Sequence, residues 1–152
     1  MDNKGLPPEG TAAGKSVDEK DKFALRVLVV DDSHAMHEIM KIKLGELASS
    51  FAMELHHVLS GEEALERAMG MVFDIIFMDV EMPGLSGLEA CRRLKEAGCK
   101  ARIAMLSSLV RTTDRDAGFN VGCDHYLEKP PKDQVLSAVL RVVRLRKELS
   151  LG

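Results

Sequence analysis

The stretch Val27-Leu28-Val29-Val30-Asp31-Asp32 decides the fold, because a short apolar run ends there at two carboxylates. Three later runs end in the same way, at residues able to handle a phosphoryl group or a metal ion: 75–78 before Asp79, 103–106 before Ser107, and Tyr126-Leu127 before Lys129-Pro130. Continuous apolar runs of this length are typical of buried parallel strands. If the runs are neighbouring strands, three carboxylates, a hydroxyl and an ammonium meet at one edge of one sheet.

The composition fits one globular domain. The chain has 152 residues, 45% of them hydrophobic and 30% charged, which is enough for a core but too short for a second domain of ordinary size. The net charge of -3 gives the whole molecule no attraction to nucleic acid or to an anionic membrane, so we expect neither as a direct partner. The sequence shows neither a membrane-helix run nor a secretion signal, and a cytoplasmic location is expected.

Cysteines and histidines give little sign of a metal site. The three cysteines are odd in number and lack metal-ligand spacing, so we expect buried, reduced thiols: Cys91, Cys99 and Cys123. His34 and His37 have helical i,i+3 spacing, but no third ligand accompanies them at a suitable distance in sequence. We therefore expect surface histidines.

Residues 1–22 are predicted to be a flexible N-terminal tail, because glycines, prolines and charges leave few apolar groups to offset the entropy of ordering them. The folded domain is expected over 23–150, where strands and helices alternate. Residues 51–58 alternate in polarity like an edge strand, and 131–149 repeat apolar residues at helical spacing. Two helix starts fit a capping box, Ser60 with Glu63 and Ser86 with Glu89.

Five strands alternating with five helices predict an α/β fold, an open parallel sheet covered by helices on both faces. Such a sheet binds ligands beyond the carboxyl ends of its strands, where the strand order reverses. The polar residues that end the apolar runs are expected at that place.

At this point the chain resembles the receiver domain of two-component response regulators, over roughly residues 25–149. The motifs that carry the resemblance stand in the order of the family: 29–33 (Val-Val-Asp-Asp-Ser), 78–84 (Met-Asp-Val-Glu-Met-Pro-Gly), Ser107, and 126–130 (Tyr-Leu-Glu-Lys-Pro). The resemblance implies a flavodoxin-like doubly wound sheet of five parallel strands, in the order 2-1-3-4-5, with five helices. It also implies that a histidine kinase or a histidine phosphotransfer protein passes a phosphoryl group from phosphohistidine to Asp79.

A cation is expected beside the carboxylates. Crowded carboxylates repel one another, and Mg²⁺ suits a site whose ligands are all oxygen atoms. The resemblance implies that Asp32 and Asp79 bind Mg²⁺ directly and that Asp31 does so mainly through water. It gives Glu81 a role through its backbone carbonyl.

The resemblance also assigns the phosphoryl contacts and the switch. Lys129 would pair with the phosphoryl oxygens and Ser107 would donate a hydrogen bond to them. Ser107 would then move toward the phosphoryl group and Tyr126 would turn inward, which changes a surface over about residues 110–149 that a downstream effector protein reads. Glu81 and Leu109 lie at two positions that tune the lifetime of the phosphoryl group. The chain would lose the group by autodephosphorylation and would not be a dedicated enzyme.

Simpler interpretations exist for each residue alone. Asp31 and Asp32 could cap a helix, Asp79 could enter an ordinary loop, and Lys129 could be a solvated lysine. Their joint placement at strand ends favours the phosphoacceptor interpretation.

Several functions remain open at this stage. The chain could be a stand-alone receiver or phosphorelay intermediate, or a receiver cut from a larger regulator or hybrid kinase. An interaction module independent of phosphorylation is disfavoured by the complete acidic set, and a phosphatase with Asp-x-Asp is not matched by Asp31-Asp32-Ser33. We expect a monomer or a weak dimer, because the last helix has a broad apolar face.

Overall fold

The computed structural model describes residues 23–151. The predicted flexible tail 1–22 lies outside the described residues, so that prediction and the start of the domain at residue 23 stay predictions. The elements, in chain order, are β1 Leu25–Val30, α1 His34–Glu46, β2 Met53–Val58, α2 Gly61–Gly70, β3 Ile75–Asp79, α3 Gly87–Glu96, β4 Arg102–Ser107, α4 Thr112–Asn120, β5 His125–Glu128 and α5 Asp133–Leu151.

The five strands form one parallel sheet in the order β2-β1-β3-β4-β5. This confirms the predicted flavodoxin-like doubly wound fold. The chain runs from β1 outward to β2 and then crosses back to β3 on the other side of β1, so the strand order reverses between β1 and β3. The register pairs Val30 with Met78 there, which puts Asp31 and Asp79 at the same level of the sheet.

Alternate residues of the strands fill two cores, one on each face of the sheet. On the first face Val27 and Val29 pack with apolar residues of α1 and α5, such as Met40 and Leu140. On the other face Leu28 and Val30 pack in a second cluster that contains residues of α2 and α3. The central strand β3 is buried along its whole length, which is why it reads as a continuous apolar run.

The edge strand and the last helix differ in detail from their predictions. β2 begins at Met53, two residues later than expected, and only its last residue, Val58, is buried, as suits an edge strand. The last helix begins at Asp133 and not at Pro131. Proline at residue 131 disfavours a helical conformation at residue 130, so a helix is not expected to start before this proline.

The capping boxes are half formed. The hydroxyl oxygens of Ser60 and Ser86 accept hydrogen bonds from the N–H groups of Glu63 and Glu89, as predicted. The second bond of a capping box, which the N–H of the serine donates to the glutamate carboxylate, is not made in either helix. Glu63 accepts from the N–H of Leu59, and the carboxylate of Glu89 instead pairs with two arginines one turn further on. Guanidinium partners attract a carboxylate more strongly than a neutral amide does, so the reciprocal bond at α3 is not made.

The cysteines are free thiols, as expected. Cys91 and Cys123 are buried and Cys99 is half-buried, and burial raises the pKa of Cys91 to about 11 and that of Cys123 to about 12. Within residues 23–151, no helix combines the length and the apolar character that crossing a membrane requires.

Candidate functional site

Three carboxylates meet at the carboxyl edge of the sheet, next to the point where the strand order reverses. Asp31 and Asp32 follow β1, and Asp79 ends β3. One oxygen of each lies within 4.8 Å of the others. Asp31 and Asp79 are buried while Asp32 is exposed, so the cluster opens to solvent on the side of Asp32.

The loop after β1 holds Asp31 toward the site. The Oδ1 atom of Asp31 accepts a hydrogen bond of 2.9 Å from the N–H of Ser33. The helix itself is capped by Ser33, whose hydroxyl oxygen accepts from the N–H of Met36 at 3.2 Å. The simpler interpretation of Asp31 and Asp32 as the helix cap is therefore wrong. Ser33 already caps α1, and this leaves both carboxylates for the cluster.

Lys129 brings a positive charge into the acidic cluster. Its Nζ atom lies 3.1 Å from Oδ2 of Asp31 and 3.0 Å from Oδ1 of Asp79. The backbone N–H of Lys129 donates to the carbonyl of Ser107, which fixes the residue beside the end of β4. Burial alone would lower the pKa of Lys129, but the hydrogen bonds that its ammonium donates to Asp79 and Asp31 raise it overall. The ammonium therefore stays charged at neutral pH.

The surroundings make Asp79 harder to ionise than an ordinary aspartate. Burial raises its pKa, the charge of Asp31 raises it further, and the hydrogen bond from Lys129 acts in the opposite direction. The N–H of Glu81 also donates to Oδ1 of Asp79, at 3.3 Å. The net shift is upward, because the cost of burying the charged carboxylate outweighs the stabilisation that Lys129 provides.

Gly87, at the start of α3, lets that helix approach Asp79 closely. A Cβ atom at this position would lie 1.9 Å from the backbone oxygen of Asp79, closer than real contacts allow. The N–H of Gly87 donates to the carbonyl of Val80 at 2.9 Å. Gly87 was assigned no role from the sequence, although its place directly after the predicted cap Ser86 was a usable signal.

Ser107 and Tyr126 both bond to the backbone of Leu109. The buried hydroxyl oxygen of Ser107 accepts a hydrogen bond of 2.9 Å from the N–H of Leu109. The hydroxyl of Tyr126 donates to the carbonyl of Leu109 at 2.7 Å, and its ring is buried. The two predicted switch residues are thus connected through one residue of the loop after β4.

Arg115 of α4 holds the same loop to β5. Its Nε donates to the carbonyl of Val110 at 3.2 Å, its guanidinium donates to the carbonyl of Tyr126 at 3.3 Å, and its Cζ lies 5.6 Å from the centre of the Tyr126 ring. The sequence analysis missed Arg115, because an arginine in a polar helix has no pattern that separates it from a solvated one.

His37 is buried, so the expectation of a surface histidine is wrong at this position. Its Nε2 lies 2.8 Å from the carbonyl oxygen of Asp31 and 3.0 Å from that of Val58. Carbonyls only accept hydrogen bonds, so Nε2 carries the proton. The ring thereby joins the carboxyl ends of β1 and β2, a tertiary contact that periodicity could not show.

The donor set fits a small, hard cation. Three carboxylates supply oxygen atoms close together, one side is open for water, and oxygen ligands with retained waters are what Mg²⁺ prefers. Lys129 contacts two of the same carboxylates. The described contacts of Glu81 involve its N–H, and the role of its carbonyl as a ligand stays a prediction.

Comparison with known proteins agrees with this geometry. The sequence model of the family described as the response regulator receiver domain matches residues 27–141. The chain is 36% identical over 127 residues to the response regulator MprA of Mycobacterium ulcerans, covering 84% of this chain and 53% of that protein. It is also 36% identical over 124 residues to MprA of Mycobacterium tuberculosis, covering 82% of this chain and 52% of that protein. The chain thus spans about half the length of these curated relatives.

Solved structures show the same architecture. The receiver domain of the Francisella response regulator 1452 superposes with a TM-score of 0.72 at 27% identity, covering 80% of this chain and 98% of that one. The chemotaxis protein CheY4 of Vibrio cholerae superposes with a TM-score of 0.68 at 28% identity, covering 79% and 98%. With the family matched over most of the folded part, this chain belongs to the response regulator receiver domains.

Proposed function

We propose that the chain is a phosphoacceptor in two-component signal transduction. In this proposal Asp79 takes a phosphoryl group from the phosphohistidine of a histidine kinase or a histidine phosphotransfer protein. The observation that carries the proposal is the position of Lys129, whose ammonium lies 3.0 Å from Asp79 and 3.1 Å from Asp31 in a partly buried site. A cation fixed against a buried carboxylate is what the transfer of an anionic group requires.

The reaction is a displacement at phosphorus. An oxygen of Asp79 forms the new P–O bond while the P–N bond to the histidine breaks, and the imidazole leaves with the electron pair of that bond. Asp79 must be ionised to attack, and its neighbours influence that state in opposite directions. Asp31 raises the pKa of Asp79, whereas Lys129 lowers it.

Asp31, Asp32 and Asp79 would hold Mg²⁺ during this reaction. When bound, the ion supplies positive charge beside the carboxylates and the phosphoryl oxygens. Three carboxylates close together carry more negative charge than the single ammonium of Lys129, which supports this assignment. The exposed Asp32 leaves a route for the ion from solvent.

Lys129 has a second role after the transfer. Its ammonium is bound to Asp79, so conversion of that carboxylate to an acyl phosphate removes the charge of the carboxylate and weakens this contact. The ammonium can then bind the phosphoryl oxygens as a point charge. Ser107 accepts from the N–H of Leu109, which leaves its own hydroxyl proton available for a phosphoryl oxygen.

The proposed output is a change in the surface formed by α4, β5 and α5. Ser107 and Tyr126 are connected through Leu109, so movement of Ser107 toward the phosphoryl group displaces the contact that holds Tyr126. A downstream effector protein would read the changed surface. We place this signalling in the cytoplasm, and we propose that the chain is not a dedicated enzyme beyond losing its own phosphoryl group.

A receiver within a larger regulator is the second candidate. The observation in its favour is that the chain spans about half the length of the MprA relatives. The acceptor chemistry at Asp79 is the same in both cases, and only the element that carries the output differs.

The test is phosphorylation by a small donor. The full chain is incubated with Mg²⁺ and acetyl phosphate, and the intact mass is followed for a labile adduct of one phosphoryl group. Asp79→Asn should abolish the adduct, whereas Asp116→Asn, which changes an exposed aspartate on α4, should leave it. Chelation of Mg²⁺ should prevent the adduct from forming. An adduct that persists in Asp79→Asn, or none in the unchanged protein, would contradict the proposal and favour an interaction module independent of phosphorylation.

A further inference from the structure

Two imidazole rings lie together on the first face of the sheet, at its β2 edge. His37 belongs to α1 and His57 to β2. In the register of the sheet His57 is the partner of Val29, which packs with residues of α1, so the side chain of His57 lies on the same face as that helix. The centres of the two rings are 5.0 Å apart, and the ring planes are inclined at 52°.

The hydrogen bonds of His37 leave its second ring nitrogen as a free acceptor. Nε2 carries the proton, because it lies 2.8 Å from the carbonyl oxygen of Asp31 and 3.0 Å from that of Val58. In a neutral imidazole with this tautomer, Nδ1 keeps its lone pair. Histidines that bind metal ions are typically held in this way, with the other ring N–H donated to a backbone carbonyl or a carboxylate.

The remaining ring nitrogens have no partner in the protein. Within residues 23–151, neither Nδ1 of His37 nor either nitrogen of His57 makes a hydrogen bond. In the same part of the chain, the fully enclosed side-chain nitrogen that lacks a hydrogen bond is Nε of Arg26, so Nδ1 of His37 is reached by solvent although the residue is only 7% exposed. His57 is exposed. Both rings can therefore accept a ligand from solution.

The separation of the rings suits two ligands of one ion. A Zn–N bond is about 2.0–2.1 Å long, so two imidazoles at neighbouring corners of a tetrahedral ion have ring centres about 5 Å apart. Imidazole nitrogen is a common ligand of divalent transition ions, whereas Mg²⁺ prefers oxygen. The histidine pair therefore suits a different ion from the acidic cluster.

We propose that His37 and His57 form a second cation site, which binds Zn²⁺ through Nδ1 of His37 and one ring nitrogen of His57. Water completes the coordination together with Glu38, the residue after His37. The carboxylate of Glu38 pairs with Lys41 at 3.5 Å, and both side chains are exposed, so this pair can open. The site is independent of phosphorylation at Asp79.

The charges around His57 partly oppose a cation. Lys41 and Arg67 interact electrostatically with His57, and Glu38 does so with the opposite sign. The pKa of His57 is lowered, mainly because part of its ring is withdrawn from water, with further contributions from His37 and the two cations. His57 is therefore neutral at pH 7, as a metal ligand must be. Binding must come from the imidazole nitrogens, since the surrounding field gives no net attraction.

The experiment titrates the full chain with Zn²⁺ by calorimetry, with excess Mg²⁺ present to saturate the acidic cluster. We expect one Zn²⁺ per chain. His57→Gln should weaken this binding by about tenfold or more, because it removes one of two imidazole ligands. His56→Gln is the matched control, since His56 lies on the opposite face of β2 and its Nε2 contacts Glu54 at 2.6 Å. Cys99→Ser, which removes a half-buried thiol, should also leave the binding unchanged.

Nitrogen-15 spectra of the histidine side chains identify the atoms that bind. In the metal-free protein the proton of His37 should be on Nε2, and Zn²⁺ should shift Nδ1 of His37 together with one nitrogen of His57. Circular dichroism checks that each variant is folded. The proposal would be overturned by the absence of Zn²⁺ binding, by complete displacement of Zn²⁺ by Mg²⁺, or by binding that His56→Gln abolishes and His57→Gln does not.

Discussion

The ammonium of Lys129 lies 3.0 Å from the carboxylate of Asp79, on which the proposed chemistry takes place. This contact joins the residue after β5 to the last residue of β3, 50 positions apart in the chain. In the proposed reaction the ammonium would both compete with Mg²⁺ for carboxylate oxygens and stabilise the anionic group that arrives. These two effects have opposite consequences when the lysine is removed.

Lys129→Met should separate the two effects. We expect phosphorylation of Asp79 by acetyl phosphate to slow on the order of a hundredfold, because one fixed charge beside the reacting group is lost. We expect Mg²⁺ to bind more tightly, because an ammonium no longer contacts Asp31 and Asp79. Titration calorimetry measures the second quantity. Lys132→Met, an exposed lysine nearby in sequence, serves as the control. Weaker binding of Mg²⁺ in Lys129→Met would contradict the competition.

Glu81→Asn should change the rate at which the phosphoryl group is lost, while phosphorylation at Asp79 persists. Glu81 is exposed two residues after Asp79, so its carboxylate can either steer the attacking water or repel it. A slower decay after the substitution would indicate steering, and a faster one repulsion. Decay of the adduct mass over time gives the rate, with Glu46→Gln on α1 as the control. An unchanged rate would remove Glu81 from the reaction.

Gly87→Ala and Gly45→Ala form a matched pair for stability. The added methyl at residue 87 meets the backbone oxygen of Asp79 at 1.9 Å, so we expect a loss of more than about 2 kcal/mol in the free energy of unfolding. At residue 45 no atom lies within 4 Å, and alanine in a helix should add up to about 1 kcal/mol. Urea unfolding measures both. Equal stability of the two variants would show that α3 can retreat from Asp79 at little cost.

His125 should make the protein less stable in mild acid. Burial lowers its pKa, and the charge of Arg102, whose guanidinium lies 3.4 Å from its Nε2, lowers it further, whereas Asp124 acts in the opposite direction. Below the ordinary histidine pKa of about 6.5 the unfolded chain binds more protons than the folded one, so the free energy of unfolding falls as the pH falls through that window.

His125→Gln should reduce that loss of stability. Between about pH 7.5 and about pH 5.5 we expect the free energy of unfolding to fall by less than in the unchanged protein, with a difference below about 1 kcal/mol. His34→Gln, which alters an exposed histidine of α1, controls for the loss of an imidazole as such. Identical pH dependence in the unchanged protein and in His125→Gln would contradict this prediction and show that burial and Arg102 do not oppose protonation of His125.

The strand ends were predictable from the sequence because buried parallel strands are apolar on both faces. That property makes residues 27–30, 75–78 and 103–106 visible as runs, and the polar residue after each run marks the carboxyl edge of the sheet. Asp31 and Asp79 then meet because β1 and β3 are parallel neighbours, so that both strands end at the same edge of the sheet.

The contacts that support the site were not predictable in the same way. His37 bonds to one carbonyl 6 residues away and to another 21 residues away in the chain, and Arg115 bonds to carbonyls of a loop and of β5. Both depend on how a helix packs against the end of the sheet. Periodicity fixes the face of a helix on which a residue lies, but the same spacing fits a solvated side chain and one that binds a backbone carbonyl.

The position of Leu109 leads us to expect that the proposed response of this domain is cooperative. Its N–H binds Ser107 and its carbonyl binds Tyr126, so one peptide segment belongs to both contacts. A displacement of that segment alters both side chains in the same event, and a form in which only one has changed is disfavoured. Phosphorylation of a fraction of the molecules at Asp79 would therefore give a mixture of unaltered and fully altered molecules. It would not give molecules that are each partly altered.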